Sequence, residues 1–402
     1  MASLARFHLA EWIHENSEHA KYNIAGSAAP SLTLRELISL SESPSETEAA
    51  LKFDELPLGL GTNKGSLELR TKLAELYNEK IQPENFLTTP GATGANLIVF
   101  QSFLKPGDHV ICMYPTYTQL SNLSKSIGCD VSLWRLDPNN EWCLDMAELR
   151  VLIRPSTTKM IMLNNPNNPT GSVLDAKAQL EILEIAKQHG IIVVVDEIFR
   201  PLYHGRTTIP SFVEHEYTKV ITTSSMSKAW GMSGVRIGWI VCRDQDLTDL
   251  MSNTKQYIAQ ATSNIDEAIA AECLSLRCRP AILKRHLDYA QQNLELLEAF
   301  AKKNSDMCTW IRPTAGGTAF VKYHTISGDA IDDVQFCQEL LKDYGVLLSP
   351  GSTCFGEETP ASWQGYSRMH ITVSPENMQK ALEKISTLLG EKRKTAKYSK
   401  QS

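Results

Sequence analysis

The 402-residue chain has no apolar run near the ~20 residues that a membrane-spanning helix needs. Its first stretch, MASLARFHLAEWIHENSEHAKY, carries acids and histidines where a signal peptide would carry an apolar core. None of the nine cysteines forms a Cys-x-x-Cys pair, and the nearest two, Cys273 and Cys278, have no histidine cluster beside them. That pattern excludes a zinc site and a disulfide framework, and it fits reduced thiols in a reducing compartment. Positive charge is scarce too. The formal net charge is −6, so no broad basic surface is available for nucleic acid. The one basic run, Lys392, Arg393, Lys394, Lys397 and Lys400, reads as a solvated, frayed C-terminus. There is no internal repeat and no low-complexity linker, and the terminal Lys-Gln-Ser is no peroxisomal address. The expected location is cytoplasmic.

What is present is an alternation of strands and helices. Apolar residues make up 42% of the chain and charged residues 21%, both ordinary for a globular enzyme. The pattern predicts a helix over 64–80, a second over 91–104, and strands at HVICMY, VSLWRL and KMIMLN. AQLEILEIAKQHG reads as a helix closed by Gly190. IIVVVDEIF follows at once, and its five consecutive aliphatics fit a strand covered on both faces. KVITTSS and VRIGWIVC read as further strands, then long helices over 247–276 and 280–303. TAFVKY, VLLSP and RMHITVS close the chain as a smaller unit. Residues 39–48, rich in Ser and Glu, read as a loop. The expectation is a doubly wound α/β domain with a smaller α+β domain.

In an open α/β sheet, ligands sit beyond the carboxyl ends of the strands. Three signals fall there: Asp196 and Glu197 after IIVVV, NNPNNPTG after KMIML, and Lys228 after VITTS. Each alone is ordinary; a carboxylate, an Asn-Pro turn or a lysine among serines commonly does nothing more than cap or solvate. Together they describe one ligand. A lysine that forms a Schiff base must be neutral part of the time, through burial or nearby cations such as Arg236. A phosphate is met by Ser225, Ser227, Arg236 and the small-residue helix start Gly91–Gly94. A protonated pyridine nitrogen needs a buried carboxylate, for which Asp196 is the candidate. That set points to pyridoxal phosphate.

These residues, taken in order, resemble the class I/II aminotransferases, the fold-type I pyridoxal-phosphate enzymes. The likeness spans about 22–389 and rests on SMSKAWGMSGVRIG, NNPNNPTG, VVVDEIF, KGSLELR and YSRMHITVS. It implies a large domain, 50–280, and a small domain built from 1–49 and 281–402. By this resemblance Lys228 holds the cofactor and shuttles the proton, and Asp196 pairs with the ring nitrogen. Asn168 bonds the ring's 3-oxygen, and Tyr117 stacks on the ring. Ser225, Arg236, Gly91, the Ala92 backbone and Thr93 take the phosphate. Arg368 clamps the substrate carboxylate, with Asn168 and the Gly26 backbone assisting. A homodimer on a free L-α-amino acid is implied as well.

Two positions depart from the family pattern. Phe199 stands three residues after Asp196, where a tyrosine usually donates to the 3-oxygen. Leu60 stands where a tyrosine usually serves the neighbouring subunit's phosphate. Phe199, the Ala10–Trp12 stretch and the segments at Gly345 and Cys354 resemble a narrower branch, that of capreomycidine synthase. Transamination is therefore the simplest expectation. β-Elimination with cyclisation of an arginine-type substrate, or amino-acid oxidation, are alternatives, and a non-catalytic regulatory protein is a remote one. No second arginine is placed to meet an acidic side chain, and His14, His19, His204 and His370 are given no role.

Overall fold

The computed structural model describes residues 4–205, 208–356 and 362–398. Its large sheet has eight strands. They run Phe86–Pro90, Ile237–Cys242, Val220–Ser225, Ile192–Asp196, Thr158–Asn164, His109–Tyr114, Asp130–Asp137 and Cys143–Leu144. The five from Val220–Ser225 to Asp130–Asp137 are parallel, and the strands at both edges are antiparallel. The sheet is therefore mixed. The strand at Phe86–Pro90 was not foreseen.

Both faces are covered, as the aliphatic run at 191–195 implies. Val193 and Val195 pack into one apolar layer and Val194 into the layer behind it, the two-residue period of a strand buried on both sides. Helix Ala176–His189 begins where the Asp175 carboxylate accepts from Ala178 N, and it ends at Gly190, which is left-handed at φ 67°.

The smaller sheet is antiparallel, in the order Cys308–Trp310, Thr318–Tyr323, Tyr366–His370 and Ser349–Pro350. Helices Arg279–Lys303 and Pro375–Tyr398 cover it through Leu294, Leu297, Ile385 and Leu389. The N-terminus joins this unit, because Tyr22–Asn23 pairs in parallel with Val346–Leu347.

Several expectations change. Residues 39–48 are not a loop but largely helical, ending Leu34–Leu40 and opening Pro44–Ala50, with Pro44 at the first helical position. The helix foreseen over 64–80 is only Leu67–Ala74; Leu76 and Tyr77 then close back onto Leu73 and Ala74 in tight turns. The stretch 247–276 is two helices, Gln245–Ile258 and Asn264–Cys273, broken at left-handed Gln260 and restarted by the Ser263 cap. The basic tail is not frayed at its start. Arg393 pairs with Asp306 at 2.6 Å and Lys392 with Glu339 at 2.5 Å, while Lys400 lies outside the described residues. Among the described residues no helix is long and apolar enough to cross a membrane.

Candidate active site

The parallel register brings the site together. Asn164, Asp196 and Thr223 lie side by side at the carboxyl ends of three neighbouring strands. Asp196 is 2% exposed. It accepts from Ile198 N at 3.0 Å and from Asn96 Nδ2 at 3.3 Å. Burial pushes its carboxyl up to about 6, against the pull of those bonds and of Lys228. Asn96 is itself held, accepting from Thr223 Oγ1 at 2.8 Å and donating to Gln119 Oε1 at 3.2 Å.

The Asn-Pro turn is built by its own side chains. Asn164 Oδ1 accepts from Asn168 N at 2.7 Å while its Nδ2 donates to the Asp196 carbonyl at 2.9 Å. The Asn168 side chain thereby faces the cavity, where its Oδ1 accepts from Arg368 Nη1 at 3.1 Å.

Lys228 follows the next strand. Its Nζ donates to Ser27 Oγ at 2.9 Å. Burial, then Arg368 and Arg236, push the amine down to about 8 against the opposing pull of Asp196. A lysine so placed is neutral for a useful fraction of the time at neutral pH. Nearby His370, given no role by the sequence, bonds Thr372 Oγ1 at 2.6 Å; burial first, then the Lys228 charge, push its imidazole down to about 3 and keep it neutral.

At the other end of the cavity, helix Gly91–Phe103 presents its N-terminus. Backbone, not side chain, must come close here. A Cβ on Gly238 would sit 2.3 Å from the Gly91 carbonyl carbon, and one on Gly91 would sit 2.4 Å from Arg236 Nη2. Arg236 donates to Ser233 O at 2.9 Å and lies 3.5 Å from Ser227 Oγ, and Ser225 Oγ accepts from Ser227 N at 3.1 Å. Free N–H groups, a guanidinium and hydroxyls at a helix start form a cradle for a phosphate.

Arg368 is the unusual group. It is 1% exposed, in mid-strand, and among the described residues no carboxylate pairs with it. Nη2 donates to Ala25 O at 2.5 Å, and Nε has no partner. Burial pushes the guanidinium down to about 10. A buried cation without an anion is costly unless a ligand supplies one.

One cavity of about 270 Å³ is lined by Ala92, Thr93, Tyr117, Asn168, Asp196, Ser225, Lys228, Arg236 and Arg368, which is most of the expected set. Gly91 lies just behind this wall. Gly26 does too, with His370 Nδ1 3.6 Å from where its Cβ would be, and the neighbouring Ser27 faces the cavity instead. Phe199 lines the cavity, its ring against Gly316 and Gly317, and brings no hydroxyl. Leu60 lies outside, 78% exposed.

The sequence reading gave no site role to Ser27, Asn96, Asn164 or the stretch Phe7–Ile13, which line the cavity or brace it. Asn164 opens the NNPNNPTG turn singled out above, Ala10–Trp12 was noted only for its resemblance, and Asn96 showed as a polar residue inside the otherwise apolar run ANLIVF. A buried lysine with a lowered pKa, a buried carboxylate, a helix start with an arginine and hydroxyls beside it, and a buried arginine without a carboxylate partner among the described residues fit pyridoxal phosphate together with a carboxylate-bearing substrate.

Fold and site thus define a fold-type I pyridoxal-phosphate enzyme. The chain matches the family "Aminotransferase class I and II" over residues 48–385, and it belongs to that family. It is 28% identical over 388 residues to capreomycidine synthase of Streptomyces vinaceus, covering 95% of this chain and 93% of that one. It is 28% identical over 333 residues to aspartate/prephenate aminotransferase of Thermus thermophilus, covering 81% and 82%. Its fold superposes on a PLP-dependent aminotransferase from Streptococcus suis with a TM-score of 0.88 at 36% identity, covering 97% and 98%. The protein is a pyridoxal-phosphate-dependent enzyme with aminotransferase-like activity.

Proposed function

We propose that the enzyme transaminates a free L-α-amino acid. The observation that carries this reading is the buried Arg368, which no carboxylate among the described residues pairs with, in the same cavity as Lys228 and Asp196. The substrate carboxylate would be met by that guanidinium, whose plane Asn168 and the Ala25 carbonyl fix. Asp196 would hold the cofactor's ring nitrogen, the Gly91–Phe103 helix start with Arg236 and Ser225 would hold its phosphate, and Tyr117 would pack on its ring. Pyridoxal phosphate supplies an aldehyde that condenses with amines and a protonated ring that takes up the electrons of the substrate's Cα–H bond. Lys228 Nζ would take the α-proton from the substrate's Cα and pass it to the cofactor's former aldehyde carbon, the proton shift that transamination needs. Ser27 Oγ holds that amine beside the cavity, and burial keeps it near 8, where both charge states are accessible.

The experiment mixes holoenzyme with single amino acids and no keto-acid acceptor. Transamination gives one keto acid per active site and stops. Many turnovers, with ammonia, water or peroxide released, contradict it and support elimination, cyclisation or oxidation. Phe199 and the likeness to capreomycidine synthase favour that second reading.

The working form we propose is a cytoplasmic homodimer. Leu58, Leu60 and Tyr257 are 83%, 78% and 87% exposed, an apolar set that a second chain would cover. The domain division at 50–280 also stands as a proposal, with one amendment. Thr47 Oγ1 donates to Glu272 Oε1 at 2.6 Å and Glu42 N to Arg277 O at 2.9 Å, so helices Leu34–Leu40 and Pro44–Ala50 ride with the large domain.

A further inference from the structure

The charged groups on the cavity wall are Asp196, Lys228, Arg236 and Arg368, and each has a partner in the chemistry above. Of the lining residues given no part in that chemistry, Phe7, Leu9, Ala10, Ile13, Ile198 and Phe199 are apolar and outnumber the polar ones. The N-terminal helix His8–Asn16 and the residue before it bring Phe7, Leu9, Ala10 and Ile13 to the cavity wall, which Phe199 also lines. None of these carries a hydrogen-bonding side chain.

The helix is fixed in that orientation. Trp12 Nε1 donates to Leu348 O at 2.8 Å, Leu9 is buried, and the Phe7 ring lies 5.3 Å from that of Tyr117. Its nearest acid, Glu11, is turned away and bonds Arg6 Nε at 3.2 Å and lies 3.7 Å from His8 Nδ1. Glu15 is exposed. Among the described residues of this chain, a guanidinium entering the cavity therefore finds no carboxylate other than Asp196, which the ring nitrogen would take, and a side-chain carboxylate finds no cation beyond those given a part above. Either charge would be desolvated without a partner.

We infer that the stretch Phe7–Ile13 is the side-chain wall of the substrate site, and that the substrate is an α-amino acid with an uncharged apolar side chain, aliphatic or aromatic. This rests on the amino-acid reading of the site given above. It separates the enzyme from any relative whose substrate carries a guanidinium.

The test titrates holoenzyme with leucine, methionine, phenylalanine, glutamate and arginine, following the bound cofactor's absorbance. The expected result is that at least one apolar amino acid binds tenfold or more tightly than either charged one. Tightest binding of arginine or glutamate overturns the inference and leaves the amino-acid reading intact. No response to any of the five overturns both. Ala10 is exposed at the cavity mouth, so A10E adds a carboxylate without disturbing the core. The ratio of KM for arginine to KM for leucine should fall at least tenfold in A10E. An unchanged ratio would mean that this helix does not face the side chain.

Discussion

At the residue scale, the account turns on two buried charges and one absent hydroxyl. Arg368 offers a two-pronged donor, and charge-assisted bonds are each worth about 1.5–3 kcal/mol. R368A should therefore lower kcat/KM for the amino acid by on the order of 10²-fold or more, with cofactor binding kept; a loss below tenfold would remove the clamp from the account. Asp196 carries a pH signature. Its carboxyl is raised from 3.8 to about 6 by burial. A raised acid contributes stability below its unfolded value and loses that contribution as pH climbs through the folded one. Apo protein should lose up to ~3 kcal/mol from this group between pH 4 and 6, and urea unfolding of apo D196N should lack that slope. Phe199 sets the third test. A hydroxyl restored by F199Y, if it reaches the 3-oxygen, should lower the pH midpoint of the bound-cofactor spectrum by about one unit, since one good hydrogen bond is worth roughly that.

At the scale of elements, the central strands were legible because five consecutive aliphatics and strand-end polar groups leave few alternatives. The motifs at their ends were legible for the same reason, since loops there carry both turn chemistry and ligand chemistry. The supports were not. Asn96 reads as one polar residue on a buried helix, and only the tertiary contacts to Thr223 and Asp196 give it a task. Ser27 lies 201 residues from Lys228, and no local pattern in AGSAAP announces the bond. Short helices failed for a different reason. Pro44–Ala50 takes its stability from packing and from the Thr47–Glu272 bond rather than from its Ser- and Glu-rich sequence. If Asn96 holds Asp196 as described, N96L should weaken pyridoxal-phosphate affinity tenfold or more while leaving KM for the amino acid nearly unchanged. Equal damage to both would mark Asn96 as a general packing residue.

At the scale of the whole molecule, the two apolar cores meet at the N-terminal helix. Trp12 packs against both of them. A second chain is the expected cover for Leu58, Leu60 and Tyr257, so the mass in solution should be twice 44.8 kDa. A single-chain mass would refute the dimer. The central claim is that one lysine among the chain's many is the cofactor's anchor. Lys255 is its nearest rival, also buried and pushed down to about 8 by burial against the opposing charge of Glu267, but it is bonded to the Asn63 carbonyl and is not among the residues that line the cavity. Borohydride reduction of the holoenzyme, followed by peptide mass mapping, separates them directly. The account expects the phosphopyridoxyl group on Lys228. Its appearance on Lys255, or on any other lysine, would contradict the site as described.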